Sequence, residues 1–260
     1  MFEFFDTVIK ENCLKDVNYI EPYAGGAGAA LSLLLLEKVS EIVINDYDRA
    51  IYAFWQSILD QTDLFVDKIT HTPINIEEWK KQKSIYKNGS DDLLELGFAT
   101  FYLNRTNRSG ILTGGPIGGI AQTGKWLLDA RFNKAKLIER IRLISLYRDR
   151  ITVLNMDGLN VIRRYADKSN SFFYVDPPYY DKGKCLYLNS YTHQDHEKLA
   201  TLLNGLGKTR WILSYDNVPQ IRELYKDRKK QYEFSLHYQA HTSKEGSEII
   251  VFSDLLVFPD

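Results

Sequence analysis

The chain has 260 residues, 44% of them hydrophobic and 13% aromatic, with a formal net charge of -1; this suffices for one large domain or for one domain carrying an insertion. Cys13 and Cys185 lack paired-ligand spacing, which excludes a disulfide framework and a Cys-based zinc site. No signal peptide is evident and the apolar run Leu31 to Leu36 is too short to span a membrane, so a reducing cytoplasm is the expected compartment.

In chain order, Asn18 to Glu21 is expected as a strand that feeds Pro22-Tyr23-Ala24-Gly25-Gly26-Ala27-Gly28 and then a helix over Ala29 to Lys38. Glycines between a strand and a helix let a ligand approach the backbone and leave a helix N-terminus exposed, as in nucleotide-binding α/β folds. Leu31 stands where a dinucleotide fingerprint needs a third small residue. A second strand, Glu41 to Asn45, ends at Asp46, where such folds bind ribose hydroxyls; a cap on the helix from Arg49 to Leu59 is the competing reading. A helix follows over Leu93 to Leu103. Asn104 to Trp126, with six glycines among Thr, Asn and Arg, reads as an irregular loop or hairpin suited to a nucleic-acid groove, against the alternative of a disordered surface loop.

Charge is distributed unevenly along these elements. Residues 1–60 hold four Lys/Arg against ten Asp/Glu, whereas residues 101–150 hold ten against three. The basic block could release counterions from a phosphate backbone, although residues 131–150 would serve equally as a solvated helix face.

The sheet resumes with Ile151 to Asn155, followed by Asp157, which can cap a helix over Gly158 to Tyr165. Ser171 to Val175 is a short buried strand, and Pro177 and Pro178 then forbid further pairing, so Asp176 must project from a strand end. An exocyclic amino group has two hydrogens. The Asp176 carboxylate and the Pro177 carbonyl can each accept one while Tyr179, with Tyr180 as a second platform, stacks on the ring. Phe172, Tyr187 and Tyr191 read as core or rim aromatics. His193 and His196 flank Asp195 and imitate a metal pair, but Thr192-His193-Gln194-Asp195 also fits a capping box, and no metal site is expected. A helix from His193, a strand Trp211 to Ser214, a helix Val218 to Tyr225 and paired strands Tyr232 to Tyr238 and Glu248 to Phe252, turning at Lys244-Glu245-Gly246, complete the pattern. The fold class is α/β, a doubly wound sheet closed by an antiparallel hairpin.

The glycine loop, Ile44-Asn45-Asp46, Phe101-Tyr102-Leu103-Asn104-Arg105-Thr106, Asp157, Asp176-Pro177-Pro178-Tyr179 and Tyr191 to Leu199, in that order, resemble the Dam-like DNA adenine methyltransferases. The resemblance implies a Rossmann-like methyltransferase sheet from residues 1–60 and 150–260, and a helical target-recognition insertion from residues 61–149. It implies S-adenosylmethionine as cofactor, held by Tyr23, Ala24, Gly25, Gly26, Gly28, Asp46, Asp157 and Asp176. Asp157 would accept the adenine amino group of that cofactor. The catalytic residues would be Asp176, Pro177, Pro178 and Tyr179, acting on an adenine flipped from double-stranded DNA, and Asn104, Arg105 and Arg108 would contact the DNA. A companion restriction endonuclease is a partner the resemblance allows.

Family members usually open with a segment of the kind G-G-K, whereas this chain starts Met1-Phe2-Glu3-Phe4-Phe5-Asp6, so a more open cofactor site of reduced affinity is expected. A weakened or non-catalytic DNA-binding relative therefore stands as the alternative. A nicotinamide-dependent oxidoreductase is weaker still, because D-P-P-Y has no role in hydride transfer.

Overall fold

The computed structural model describes residues 2–180, 191–237 and 245–257. Its contacts divide the chain into two units, residues 1–47 with 150–260 and residues 48–149.

The first unit is built on strands β1 (Asn18–Glu21), β2 (Glu41–Asn45), β3 (Ile151–Leu154), β4 (Ser171–Val175), β5 (Arg210–Asp216), β6 (Gln231–His237) and β7 (Glu245–Phe252). They form one sheet in the order β3-β2-β1-β4-β5-β7-β6. Pairing is parallel from β3 to β5, and β7 runs antiparallel to both β5 and β6. The closing hairpin is thus observed as β6 and β7, with β7 beginning at Glu245; Lys244 in its expected turn, like Tyr187 and Cys185, lies outside the described residues.

A sheet covered on both faces needs apolar residues in consecutive positions, and Ile42-Val43-Ile44 and Phe172-Phe173 supply them. Because successive side chains point to opposite faces, Tyr19 and Phe172 pack with Phe5 of helix α1 (Phe2–Glu11). On the other face Ile20, Phe173 and Val175 join Leu159 and Ile162 of α8 (Gly158–Tyr165) and Leu199 of α9 (His193–Gly205). Helix α10 (Pro219–Leu224) adds Ile221 to that same core. Helix α2 (Gly28–Leu35) ends three residues before the expected Lys38, because Glu37 turns left-handed and Lys38 N–H returns to the Leu33 carbonyl. The chain leaves β1 toward β2 and leaves β4 toward β5, in opposite directions along the sheet. The carboxyl ends of β1 and β4 therefore form the topological switch point, where doubly wound sheets bind ligands.

The second unit is helical, with α3 (Arg49–Asp60), α4 (Thr62–His71), α5 (Ile76–Asn88), α6 (Leu93–Thr106) and α7 (Lys134–Ser145). Side chains of Asp48, Asn75, Asp92 and Asn133 cap α3, α5, α6 and α7. Gly97 makes close packing of α3 on α6 possible, since a Cβ there would lie 2.5 Å from the Ala53 carbonyl oxygen. Phe54, Phe65, Phe98, Phe101 and Phe132 fill the space between the helices with edge-on and stacked rings. Packing of α3 on α6 groups residues 48–60 with this unit, whereas the resemblance implied a boundary at residue 60.

Candidate active site

Three loops meet at the carboxyl ends of β1, β2 and β3, and one buried side chain joins them. Asn45 donates from Nδ2 to the carbonyls of Pro22 (2.8 Å) and Met156 (2.9 Å), and its Oδ1 accepts from Met156 N–H at 2.9 Å. Its own carbonyl accepts from Ala24 N–H at 2.8 Å. Asn45 is 1% exposed, so these partners fully replace water.

The glycine loop itself is held from below. Asp46 Oδ2 accepts from Gly25 N–H at 3.0 Å, and Glu21 Oε1 accepts from Ala30 N–H at 3.0 Å in the first turn of α2. Gly25 and Ala27 both have positive φ, and Ala27 occupies the N-cap of α2 without a capping side chain. Among the described residues no side chain takes the N–H groups of Gly28 and Ala29. A Cβ built on Gly25, Gly26 or Gly28 would meet nothing within 4 Å, so open space faces the loop. Burial pushes the Glu21 carboxyl up to about 8, opposed by the Ala30 N–H bond and assisted by the charge of Asp176.

The two competing readings of the strand-end acids resolve differently. Asp48, not Asp46, caps α3, accepting from Ala50 N–H at 2.8 Å, so Asp46 serves the loop. Asp157 is a helix cap: its Oδ1 accepts from Leu159 at 2.9 Å and Asn160 at 3.3 Å. Its Oδ2 accepts nothing from the described residues. The next residue, Gly158, has a packing reason to be glycine, because a Cβ there would come within 2.6 Å of Tyr23 Cε1 and of the Tyr23 hydroxyl. Tyr23 in turn shares a 2.8 Å hydroxyl contact with Tyr191, one of the aromatics expected in the core or at its rim.

Asp176 follows β4 directly, beside β1 and β5. Its Oδ1 accepts from the Ser214 hydroxyl at 2.8 Å, and Ser214 Oγ lies 2.9 Å from the Tyr174 hydroxyl. Burial pushes the Asp176 carboxyl up to about 6; the Ser214 bond opposes the rise, and the charge of Glu248 adds to it. Tyr179 donates to Glu248 Oε1 at 2.8 Å, and Tyr180 N–H donates to Asp216 Oδ1 at 2.9 Å. The Tyr180 ring packs on His196 with centroids 4.9 Å apart and its hydroxyl lies 3.0 Å from His193 Nδ1, which ties it to α9. Pro177 is buried and Pro178 half-buried.

Thr192 and Asp195 form the capping box at the start of α9. His196 is buried against the Tyr215 hydroxyl, 2.7 Å from Nδ1, and burial pulls its pKa down to about 4. No group of three or more His, Cys, Asp or Glu side chains among the described residues could hold a metal ion.

In the second unit, Asn104 and Arg105 fall in the last turn of α6, not in a loop, because the helix continues to Thr106, whose hydroxyl bonds back to the Tyr102 carbonyl at 2.7 Å. Arg105 is half-buried and donates to the Arg131 carbonyl from Nε (3.0 Å) and Nη2 (2.7 Å); Asn104 Nδ2 donates to Gly110 O at 3.2 Å. Arg108 is exposed. The glycine-rich segment after it is pinned by buried Asn107, which accepts from Trp79 Nε1 at 2.7 Å and donates to the Ile111 and Leu112 carbonyls. Gln122 likewise donates to the Ile117 and Gly119 carbonyls and accepts from Leu128 N–H. Asn107 and Gln122 escaped the sequence reading, and side-chain amides amid glycines were the only available signal.

No helix among the described residues is long and apolar enough to cross a membrane. The family whose model matches residues 2–244 is the D12 class of N6 adenine-specific DNA methyltransferases.

Proposed function

The chain belongs to the D12 class N6 adenine-specific DNA methyltransferase family, enzymes that methylate the 6-amino group of adenine in DNA; on that premise we propose how its residues divide the work. Tyr23, Ala24, Gly25, Gly26 and Gly28 of the glycine loop would hold S-adenosylmethionine, together with Asp46, Asp157 and Asp176. The fit is supported by the open space before the loop glycines and by the α2 N-terminus without a capping side chain. It is also supported by the acceptor capacity of Asp157 Oδ2. When bound, this cofactor supplies an electrophilic methyl group.

The rest of the chemistry falls to the D-P-P-Y segment. The ionised Asp176 carboxylate and the Pro177 carbonyl accept the two amino hydrogens of a flipped adenine, which localises the nitrogen lone pair that the ring would otherwise delocalise. Pro178 keeps the backbone rigid, and Tyr179 stacks on the base, a contact worth roughly 1–3 kcal/mol. No strong general base is needed, because the proton becomes acidic once nitrogen carries the methyl, and Asp176 can relay it. In the helical unit Arg108 and Asn104 supply contacts to double-stranded DNA, while Arg105 supports the segment that carries Arg108. We place this work in the cytoplasm, and a companion endonuclease is the partner if the chain serves a restriction–modification system.

The single observation that carries this reading is the position of Asp176 at the end of β4, beside β1 and its glycine loop, at the switch point of the sheet. The test is transfer of labelled methyl from S-adenosylmethionine to DNA by the purified chain, with the product nucleosides separated. Label should appear on adenine and fall at least about 100-fold in Asp176→Ala. Label on cytosine, or transfer that persisted in the variant, would contradict the assignment.

A further inference from the structure

We propose that Ser214 on β5 and Glu248 on β7 are positioning residues for this reaction, Ser214 orienting the Asp176 carboxylate with Tyr174 behind it and Glu248 fixing the ring of Tyr179. The inference rests on the adenine-methylation reading for what the held groups do, and on the geometry alone for how they are held.

An ionised carboxylate only accepts hydrogen bonds, so at 2.8 Å the Ser214 hydroxyl must donate to Asp176 Oδ1. The single Ser214 hydrogen is thereby spent. The 2.9 Å contact between Ser214 and Tyr174 must then run the other way, with the Tyr174 hydroxyl donating to Ser214 Oγ. The result is a directed chain from Tyr174 through Ser214 to Asp176, polarised toward the carboxylate and shielded from water, since Ser214 is 2% exposed. It constrains Oδ1, which fixes the carboxylate plane and so the direction from which Oδ2 can meet an amino hydrogen.

Glu248 acts one strand further out. It is 6% exposed, pairs in register with Asp216 across β5 and β7, and accepts the Tyr179 hydroxyl at 2.8 Å. Asp216 meanwhile holds the backbone N–H of Tyr180 at 2.9 Å. A tyrosine ring tethered by its hydroxyl at one end and by rigid prolines at the other has one orientation in which to stack. The strands that follow D-P-P-Y in the sheet thus grip it at a carboxylate, a hydroxyl and a backbone amide.

These contacts make opposite electrostatic demands on Asp176, and that separates positioning from mere packing. Its titratable and polar neighbours include Tyr174 on β4, Tyr19 and Glu21 on β1, Ser214 and Tyr215 on β5, and Glu248 on β7. The Ser214 bond favours the ionised form, whereas the Glu248 charge disfavours it. Glu21, pushed up to about 8, stays neutral across the Asp176 transition and leaves that comparison undisturbed.

The experiment is the acid limb of the kcat/KM profile for methyl transfer, alongside the Asp carboxyl resonances followed by NMR through the same pH range. In the parent both should turn near pH 6. Ser214→Ala should move the turn upward by about one to two pH units, the equivalent of one charge-assisted hydrogen bond, with kcat falling more than KM rises. Ser214→Thr should restore it. Tyr174→Phe should move it upward by less, and carries the test if the alanine variant does not fold. Glu248→Gln, which keeps an acceptor for Tyr179, should move it downward. Shifts of one sign in Ser214→Ala and Glu248→Gln, or no shift in either, would overturn the proposal. Inactivity of the parent would overturn the assignment of function instead, and the NMR titrations would still decide the geometry.

Discussion

The two units use their polar side chains in contrasting ways. In the sheet unit, Asn45, Glu21, Ser214 and Glu248 are buried, and they hold the glycine loop and the D-P-P-Y segment in place. In the helical unit, cations that looked available for DNA are partly spent on the protein's own carbonyls: Arg105 on Arg131, and Lys134 on Thr70 and Thr72. Arg150, counted in the basic block, belongs to the sheet unit and bonds Glu37 at 2.8 Å. A local excess of positive charge therefore overstates the phosphate contacts available. An acid at a strand end, by contrast, understates how firmly it is fixed.

The sharpest way to break that contrast is through the buried acid beneath the glycine loop. Glu21 has its folded pKa raised from 4.5 to about 8, so the folded state binds an additional proton between those values. Stability must then fall as pH rises through that window, by up to about 1.4 kcal/mol per pH unit. Glu21→Gln should flatten the curve there, and denaturant titrations from pH 5 to 8 check it. A variant with the parent's slope would show that Glu21 is ionised in the fold.

Next come the strand-end acids, which the structure separates. Asp46→Ala and Asp157→Ala should each weaken binding of S-adenosylmethionine by about 1.5–3 kcal/mol, read by calorimetry. Asp157→Ala should in addition cost about 1 kcal/mol of stability through its cap, independent of cofactor. Parent-like binding by both would return these residues to purely local roles.

Gly158→Ala tests the contact behind Tyr23. Overpacking against that ring should cost about 1–3 kcal/mol, and displacing Tyr23 should weaken cofactor binding without touching DNA affinity. An unchanged variant would mean that the ring yields freely.

The smallest effect separates the two arginines. Arg108→Ala should lower the slope of log affinity for DNA against log salt by about one, as loss of one phosphate contact requires. Arg105→Ala should leave the slope unchanged and destabilise the helical unit. The reverse result would exchange their roles.

Much of this was legible from the sequence, for a physical reason. β1, β2 and β4 match their expected bounds because buried parallel strands are short apolar runs between loop residues. The glycine loop and D-P-P-Y stand out because their chemistry is contiguous. The clamp on D-P-P-Y was not legible, since Ser214 lies 38 residues from Asp176 and Glu248 lies 69 from Tyr179. The one local hint was an acid placed directly before the apolar run Ile249-Ile250-Val251-Phe252. β5 was expected to stop at Ser214; it runs to Asp216, where antiparallel pairing with β7 carries the strand past its apolar stretch. The span Asn104 to Trp126 read as an irregular loop or hairpin because six glycines fall within it. Its first residues instead complete α6, and its remainder is held by Asn107 and Gln122.

The central claim, adenine methylation at the end of β4, is tested most directly by sequencing modified bases in DNA from cells that express the chain, beside cells that express Asp176→Ala. N6-methyladenine confined to a defined sequence context, and absent with the variant, is the predicted result. Unmodified adenine with the parent chain folded and cofactor-bound, or methylation of cytosine, would contradict it.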